Sequence, residues 1–312
     1  MNRIKHTVTA LLGIVLLVGV AQAQDKELNL EKARESIATL EAVPPQQPRK
    51  VLIFSGVGAF RHNAIEFGKQ VLPLLGEMTG AYEAVVTDDA AYFEKDSLSQ
   101  FDAVIFNNTS GRAFHNLPWK EARQLPDEER NALFDLEDRA QKNLMEFIRN
   151  GGGFVGIHAA TDTYTRGWDE YTEMIGGKFE GHPWNKRTNV VVDIVEPEHP
   201  LVAGIFEENS FPMQEEIYIM KDVNDEWIGA HDRRMLLKLN IEESQKRPMP
   251  EGLVIVPISW IKEIGEGRLF YTSLGHNAAT FENPGTLELY LRGIQYACGD
   301  IPADASFAAK GK

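Results

Sequence analysis

Residues 151–160 read Gly-Gly-Gly-Phe-Val-Gly-Ile-His-Ala-Ala, and they set the architecture expected for the whole chain. Glycines border a short apolar run, a pattern typical of a strand that is buried on both faces of a parallel sheet. His158 ends the run and is followed by two small alanines, which predicts a tight turn that presents one side chain. The segment therefore predicts a buried strand whose carboxyl end delivers a histidine.

The segments around this strand alternate between strand and helix patterns. Two more continuous apolar runs, at residues 51–54 and 103–106, predict buried strands, and a third strand is expected at 84–87. Apolar residues spaced three and four apart predict helices after His62 and over residues 127–149. The order β-α-β-β-α-β predicts a doubly wound, flavodoxin-like α/β fold of three α/β/α layers with a mostly parallel sheet.

The second half of the chain is richer in strand patterns. Five further strands are predicted before a last helix that begins at Asn283 and Pro284. These strands cover residues 190–195, 216–220, 236–239, 253–261 and 268–273. Because no repeat or low-complexity linker divides the chain, residues 49–299 are predicted to form one domain, with a loose tail at residues 300–312.

The residues before position 49 are expected to lie outside this domain. Arg3 and Lys5 precede an apolar run, and Ala-Gln-Ala at residues 21–23 fits a cleavage site, so residues 1–23 are predicted to be a secretory signal peptide. The run is shorter than the ~20 residues of a membrane-spanning helix, and an uncleaved anchor is the alternative. Residues 24–48 are interpreted as a polar N-terminal arm with one short helix. The expected location is the periplasm or the medium outside the cell.

The composition excludes some classes of partner. The 312 residues include 32 Lys and Arg against 46 Asp and Glu, which gives a formal net charge of -14 at pH 7. Nucleic acids and anionic membranes are therefore not expected partners, because both require a surplus of cationic side chains. Cys298 is the single cysteine, so no intramolecular disulfide forms, and it is expected in the core. Self-association is left open by the sequence.

Polar side chains collect where the predicted strands end, which is where ligands bind in open α/β sheets. Three of the eight histidines fall there, namely His62, His158 and His276. His158 takes the position of the nucleophile in hydrolases of similar plan, so it favours acid–base catalysis or metal binding. A structural histidine bonded to loop backbone is the alternative. His115 and His231 lie in predicted loops and are expected to be solvated.

One carboxylate is expected beside these histidines. Successive side chains at the strand start in residues 214–216 face opposite sides, and Glu216 is the one chosen to face the site. A histidine and a glutamate together suit proton transfer, and the catalytic candidates are His158, His276, Glu216 and His62. Alternatively, His158 and His276 with Glu216 bind a divalent metal, the one cofactor left open, although no clustered His or Cys spacing supports it.

Further residues are expected to bind the substrate. Trp168, Tyr171 and Trp184 either form a wall that stacks on a sugar ring or belong to the core. His182 lies in a Gly-His-Pro segment that is interpreted as a loop folding over the cleft. The substrate-binding candidates are Asn107, Asp162, His182, Trp184 and Asn277.

Several of these segments together resemble the ThuA-like (trehalose utilisation) proteins. The resemblance is carried by residues 51–56 with 60–62, 151–162, 175–183, 215–218 and 273–276. That family is similar in fold to the class I glutamine amidotransferases, which have a cysteine at the turn where this chain has His158. The resemblance therefore implies a class I glutamine amidotransferase-like fold for residues 49–299, and the missing cysteine argues against glutaminase activity.

The resemblance also implies a role in carbohydrate metabolism, because related proteins are often linked with oxidised, 3-keto glycosides. The resulting hypothesis is an exported enzyme that acts on a glycoside or keto-sugar by His/Glu acid–base chemistry, with or without a divalent metal. Hydrolase, lyase and isomerase activities all remain open, and the expected partner is a small carbohydrate. The alternative is a non-catalytic carbohydrate-binding protein whose amidotransferase-like fold has lost its cysteine.

Overall fold

The computed structural model describes residues 28–306. Its strands are β1 (Lys50–Phe54), β2 (Glu83–Thr87), β3 (Ala103–Asn107), β4 (Gly153–Ile157), β5 (Lys178–Trp184), β6 (Asn189–Ile194), β7 (Ser210–Gln214), β8 (Ile217–Lys221), β9 (Arg234–Leu239), β10 (Pro257–Ile264) and β11 (Gly267–Thr272). Its α-helices are α1 (Leu30–Ile37), α2 (Ala64–Thr79), α3 (Lys95–Leu98), α4 (Trp119–Ala122), α5 (Asp127–Arg149), α6 (Asp169–Ile175) and α7 (Pro284–Ala297).

A nine-stranded sheet dominates the described part of the chain. One half consists of five parallel strands in the order β2-β1-β3-β4-β11. The other half adds β10, β9, β6 and β7 with antiparallel neighbours, so that seven of its nine strands run in one direction. The predicted mixed α/β fold with a large, mostly parallel sheet is confirmed. Strands β5 and β8 pair separately as an antiparallel ribbon.

Strand β1 shows why the parallel strands read as continuous apolar runs. Val51 and Ile53 belong to a core that also contains residues of α1, α2 and α7. Leu52 and Phe54 point the opposite way and belong to a second core with residues of α5. All four side chains are fully buried, and each such burial contributes about 1.5–3 kcal/mol. Residues 51–54 are therefore all apolar, because both faces of the strand are covered.

The helix ends follow the sequence signals. Helix α7 begins where predicted, since the Asn283 side chain accepts a hydrogen bond from the Thr286 backbone N–H and Pro284 occupies the first turn. Cys298 caps its carboxyl end and is buried, as expected. Helix α2 ends at Gly80, whose φ of 68° is a left-handed conformation that glycine adopts without strain. These ends fix where the loops on the sheet edges begin.

The sequence pattern did not predict two of the strands, β5 and β7. The interpretation of residues 181–184 as a loop is wrong, because they lie in β5. Gly181 and Pro183 interrupt the alternation in this strand, and its pairing with β8 shifts register on both sides of Gly181. Strand β7 at Ser210–Gln214 is a second strand that the sequence did not predict.

The arm and the tail pack on the domain more closely than expected. Helix α1 is the short helix predicted in the arm, and its Ala33 and Ile37 side chains are buried. The described start of the predicted tail packs on the domain, because Ile301 and Ala305 are buried. Asp300, directly before them, accepts hydrogen bonds from Arg49 and forms a 2.7 Å ion pair with that side chain. The predicted signal peptide lies outside the described residues. No described helix is long and apolar enough to cross a membrane.

Candidate metal and catalytic centre

Three loops bring His62, His158 and His276 together beyond the carboxyl ends of β1, β4 and β11. The ring centroids of His62 and His158 are 5.3 Å apart, and those of His158 and His276 are 5.2 Å apart. His62 and His276 complete the triangle at 5.4 Å. The structure thus brings the three histidines together, as the strand-end argument predicts.

Glu216, directly before β8, joins the three histidines. Its Oε1 lies 3.6 Å from His158 Nε2 and 3.7 Å from His276 Nε2. One candidate ligand atom from each of the four residues lies within 4.8 Å of the others. We call His62, His158, Glu216 and His276 the His–Glu cluster. His182 borders it from β5, with Nδ1 3.6 Å from Glu216 Oε2 and its side chain half exposed.

Glu215 and Glu216 are adjacent carboxylates, and the structure directs only Glu216 toward the histidines. Glu215 faces away from the cluster and accepts hydrogen bonds from the backbone N–H of Asn277 and from the Thr280 hydroxyl. Burial raises the pKa of Glu215 to about 7. Glu216 therefore faces the histidines, while Glu215 supports the neighbouring loop. Both residues lie in the link between β7 and β8, and their side chains still point to opposite sides.

His158 is held in one orientation and one tautomer. Its Nδ1 lies 2.7 Å from the Ser273 carbonyl oxygen. Because a carbonyl oxygen only accepts, Nδ1 donates and Nε2 keeps its lone pair. That Nε2 is buried and has no hydrogen-bond partner within residues 28–306. The His158 φ of 47° lies in the left-handed region, where a residue with a Cβ is strained and which is found most often at functional sites.

The histidines of the cluster are held in the neutral form. Burial, reinforced by the neighbouring imidazoles His158 and His276, lowers the pKa of His62 to about 3. Burial likewise lowers the pKa of His158 to about 4, as it does for His276, where His158 adds to the effect. All three rings therefore keep an unprotonated nitrogen at neutral pH, the form that binds metals and accepts protons.

Tyr218 is a member of the site that the sequence interpretation missed. Its hydroxyl lies 3.1 Å from His62 Nε2, and its ring centroid lies 4.2 Å from that of His158. Burial raises the pKa of Tyr218 well above 10, so the hydroxyl stays protonated. Its oxygen can accept the Nε2–H of His62, and in that tautomer His62 Nδ1 keeps its lone pair. Tyr218 is two residues from Glu216, and this i, i+2 spacing on one strand face was the available signal.

The His–Glu cluster opens into a cleft of about 610 Å³. Asp162 and His182, both predicted to bind substrate, line this cleft. Burial raises the pKa of Asp162 to about 7, so its carboxyl group can exchange a proton near neutral pH. Phe60, 64% exposed, and Phe179 add two aromatic rings to the lining.

The three aromatic residues that the sequence suggested as a sugar-stacking wall do not line the cleft. Trp168, Tyr171 and Trp184 are buried, with 8%, 0% and 1% of their surface exposed. The indole N–H of Trp184 donates to the backbone oxygen of Gln245. Of the two alternatives, the structure supports core membership, because the segments around α6 and strand β5 turn these rings into the core.

Two asparagines that the sequence suggested as substrate-binding residues form hydrogen bonds between backbone segments instead. Asn107 is fully buried, and its Nδ2 donates to Ser55 Oγ and to the Ile65 backbone oxygen, which fixes the start of α2. Asn277 Nδ2 donates to the backbone oxygens of Lys186 and Gln214. Both side chains therefore organise the loops around the site.

The two histidines expected to be solvated differ from each other. His231 is exposed, as predicted. His115 is buried, so the expectation is wrong for this residue. Its ring stacks between Trp119 and Phe134, and its Nε2 lies 2.9 Å from Glu137 Oε2. These partners come from α4 and α5, which a loop assignment does not reveal.

The donor set of the His–Glu cluster fits a divalent transition metal. Neutral imidazoles and a carboxylate are common ligands of zinc and its neighbours in the first transition row. Buried polar atoms normally have partners, yet His62 Nδ1, His158 Nε2 and His276 Nδ1 have none among the described residues. A cation bound beside Glu216 would supply a partner for the His158 Nε2 lone pair, which lies 3.6 Å from Glu216 Oε1.

Comparisons with known proteins agree with this architecture. A ThuA-like protein from Bacteroides uniformis is 20% identical, with a TM-score of 0.58 over 81% of this chain and 92% of its own. A ThuA-like protein from Parabacteroides merdae is also 20% identical, with a TM-score of 0.53 over 81% of this chain and 90% of its own. These similarities show the fold alone.

No curated protein matches the chain. The ThuA family, described as trehalose utilisation, matches residues 50–297, which include the whole His–Glu cluster. The chain therefore belongs to the ThuA (trehalose utilisation) family.

Proposed function

We propose that this protein is an enzyme that acts on a glycoside or keto-sugar at the His–Glu cluster, assisted by a divalent metal. The observation that carries the proposal is the meeting of three neutral imidazoles and one carboxylate within 4.8 Å at the floor of a cleft. Buried groups with strongly shifted pKa values and unpartnered lone pairs are concentrated at functional sites. His62, His158, Glu216 and His276 would hold the metal.

The residues around the cluster have separable tasks. A bound metal would polarise a carbonyl or hydroxyl oxygen of the substrate. The Ser273 carbonyl fixes the tautomer of His158, and Tyr218 orients His62 through its hydroxyl. Asp162 lines the same cleft and can give or take a proton at its carboxyl oxygen near neutral pH. This arrangement suits proton transfer at a carbon or oxygen of a bound sugar.

A carbohydrate substrate is supported by two independent features. The family description, trehalose utilisation, links the fold with sugars. The cleft is lined by Phe60 and Phe179 beside polar groups, and aromatic faces are the surfaces on which the apolar side of a sugar ring packs. In this proposal the two rings take the stacking role that was one of the two alternatives for Trp168, Tyr171 and Trp184.

The finer fold class and the location are part of the same proposal. The strand order β2-β1-β3-β4, with helices contributing to cores on both faces, supports a flavodoxin-like, class I glutamine amidotransferase-like fold. The sequence of residues 1–23 supports export to the periplasm or beyond. Mass spectrometry of the exported chain should find Gln24 at its start, and a chain beginning at Met1 in a membrane fraction would contradict export.

A substrate screen tests the function. Glycosides and their 3-keto derivatives are incubated with wild type and with H158A, each with added divalent metal and with chelator. The proposal expects turnover that needs both the metal and His158. Saccharide binding without turnover in any condition would instead favour a non-catalytic carbohydrate-binding protein.

A further inference from the structure

Glu215 is a buried carboxylate outside the His–Glu cluster that bonds to two of the segments from which the cluster is built. Its side chain is fully buried, and its Oε1 accepts a 2.8 Å hydrogen bond from the backbone N–H of Glu216. Its Oε2 accepts a 3.3 Å hydrogen bond from the backbone N–H of Asn277 and another from the Thr280 hydroxyl. One side chain therefore connects the link that carries Glu216 with the loop that carries His276.

Strand pairing does not join these two segments. Glu216 lies between β7 and β8, which pair with β6 and β5, whereas His276 follows β11, which pairs with β4 and β10. The Asn277 side chain adds one further connection, because its Nδ2 donates to the Gln214 backbone oxygen at 2.8 Å. The distance of 3.7 Å between Glu216 Oε1 and His276 Nε2 is therefore set by contacts between loops.

We propose that Glu215 is a positioning residue that holds Glu216 and His276 at the spacing at which both can bind one metal ion. The inference rests on the metal site of the proposed function. It assigns Glu215 no contact with the metal or the substrate, because its carboxylate is directed at the backbone of the two segments. Groups that orient metal ligands from outside typically contribute about 10–100-fold to metal affinity.

The Thr280 hydroxyl offers a way to weaken this support without changing a charge. Thr280 is buried in the 3-10 turn Ala278–Phe281, and T280V removes its hydroxyl at a similar side-chain shape, whereas T280S keeps it. Thr286 is a matched control, because it is also buried and its hydroxyl donates to Asn283 Oδ1 at 3.4 Å within the first turn of α7. The control variant is T286V.

A second variant changes Glu215 itself. E215Q keeps the length of the side chain but replaces one acceptor oxygen by an NH₂ donor. That donor then faces a backbone N–H or the Thr280 hydroxyl, so the support is lost at one of its two ends.

Zn²⁺ affinity is measured by competition with a chelating dye, and the free energy of unfolding of each metal-free variant is measured by chemical denaturation. E215Q should weaken Zn²⁺ binding by about 10–100-fold and T280V by about tenfold, whereas T280S and T286V should stay within about twofold of wild type. Because E215Q and T280V remove the same support, the double variant should bind Zn²⁺ no more weakly than E215Q alone.

The outcomes separate this inference from the metal site on which it rests. If wild type binds Zn²⁺ tightly and T280V binds it equally well while losing stability, Glu215 has a structural role alone and the inference is overturned. Additive losses of affinity in the double variant would also overturn it. Absence of a tight site in wild type would contradict the metal site itself, and the inference with it. If E215Q does not fold, the comparison of T280V with T280S decides.

Discussion

The protein contains two buried groupings of histidine and glutamate, and they differ in what surrounds their polar atoms. In the His–Glu cluster, Glu216 lies 3.6 Å from His158 Nε2 and 3.7 Å from His276 Nε2, and Glu216, His62 and His276 line a cleft. In the second grouping, which we call the Arg112 network (Arg112, His115 and Glu137), the carboxylate accepts two hydrogen bonds from the Arg112 Nε and a further one from its Nη2. The network has a cation of its own, the guanidinium.

The imidazoles of the two groupings are also packed differently. The His115 ring lies nearly parallel to Trp119 and Phe134, at interplanar angles of 18° and 16°. Both of its faces are covered. The rings of the His–Glu cluster stand nearly perpendicular to one another and present their edges to a shared point. Burial of histidine and glutamate is thus common to both groupings. The convergence of four candidate ligand atoms beside a cleft distinguishes the proposed site from a structural network.

The largest difference is expected in turnover. H158A should lower kcat by about 10²–10⁴-fold, because it removes a group from the reacting centre. H115A, in the Arg112 network, should leave kcat within about twofold of wild type. Steady-state kinetics of folded variants on the substrate found by the screen check this. An H158A variant with full activity would remove the catalytic role while leaving the geometry intact.

The Arg112 network should matter for stability instead. E137Q should lower the free energy of unfolding by about 3 kcal/mol, because it leaves Arg112 without its anionic partner. Chemical denaturation of wild type and E137Q at pH 7 measures this loss. A change below about 0.5 kcal/mol, the usual range for surface positions, would show that the network is not structural.

The difference in unfolding free energy between wild type and E137Q should depend on pH. Burial alone would raise the pKa of Glu137, but hydrogen bonds from His115, Arg112 and Tyr164 outweigh burial and hold the pKa below its usual value. A lowered folded-state pKa contributes stability that is complete above the unfolded-state pKa of about 4.3 and is lost as pH falls through the folded-state pKa. The stability gap between wild type and E137Q should therefore be full at pH 7 and narrow in acid. A gap that widens in acid would contradict this assignment.

Tyr218 tests whether the cluster depends on its supporting hydrogen bond. Y218F removes the hydroxyl at His62 and should weaken metal affinity by about 10–100-fold, the usual cost of losing a ligand-orienting group. Y82F is the matched control, because the Tyr82 hydroxyl is buried and donates to the Leu72 backbone oxygen away from the site. Metal affinity measured by competition with a chelating dye should fall in Y218F alone, and equal affinities in both variants would exclude the orienting role.

The smallest effect is expected at the cleft wall. F60A should raise KM by roughly 2–10-fold without changing stability, since one stacked ring contributes about 0.5–1.5 kcal/mol. Y92A removes another exposed aromatic ring and should leave KM unchanged. An unchanged KM in F60A would show that the substrate does not rest on this ring.

The sequence predicted the parallel half of the fold because strands covered on both faces leave continuous apolar runs, as at residues 51–54 and 103–106. It also predicted that three histidines meet, since each follows a strand whose place in the sheet order is constrained. The bulged strand β5 could not be found, because Gly181 and Pro183 hide its alternation. The environments of His115 and Trp184 depend on partners distant in sequence, which a local pattern does not contain.

The central claim is that the His–Glu cluster binds a divalent metal, and a titration of the metal-free protein with Zn²⁺ tests it most directly. We expect one tight site per chain in wild type and in H115A, and loss of that site in a variant that carries both H158A and H276A. No tight site in wild type, or undiminished binding in the double variant, would show that the cluster is not a metal site.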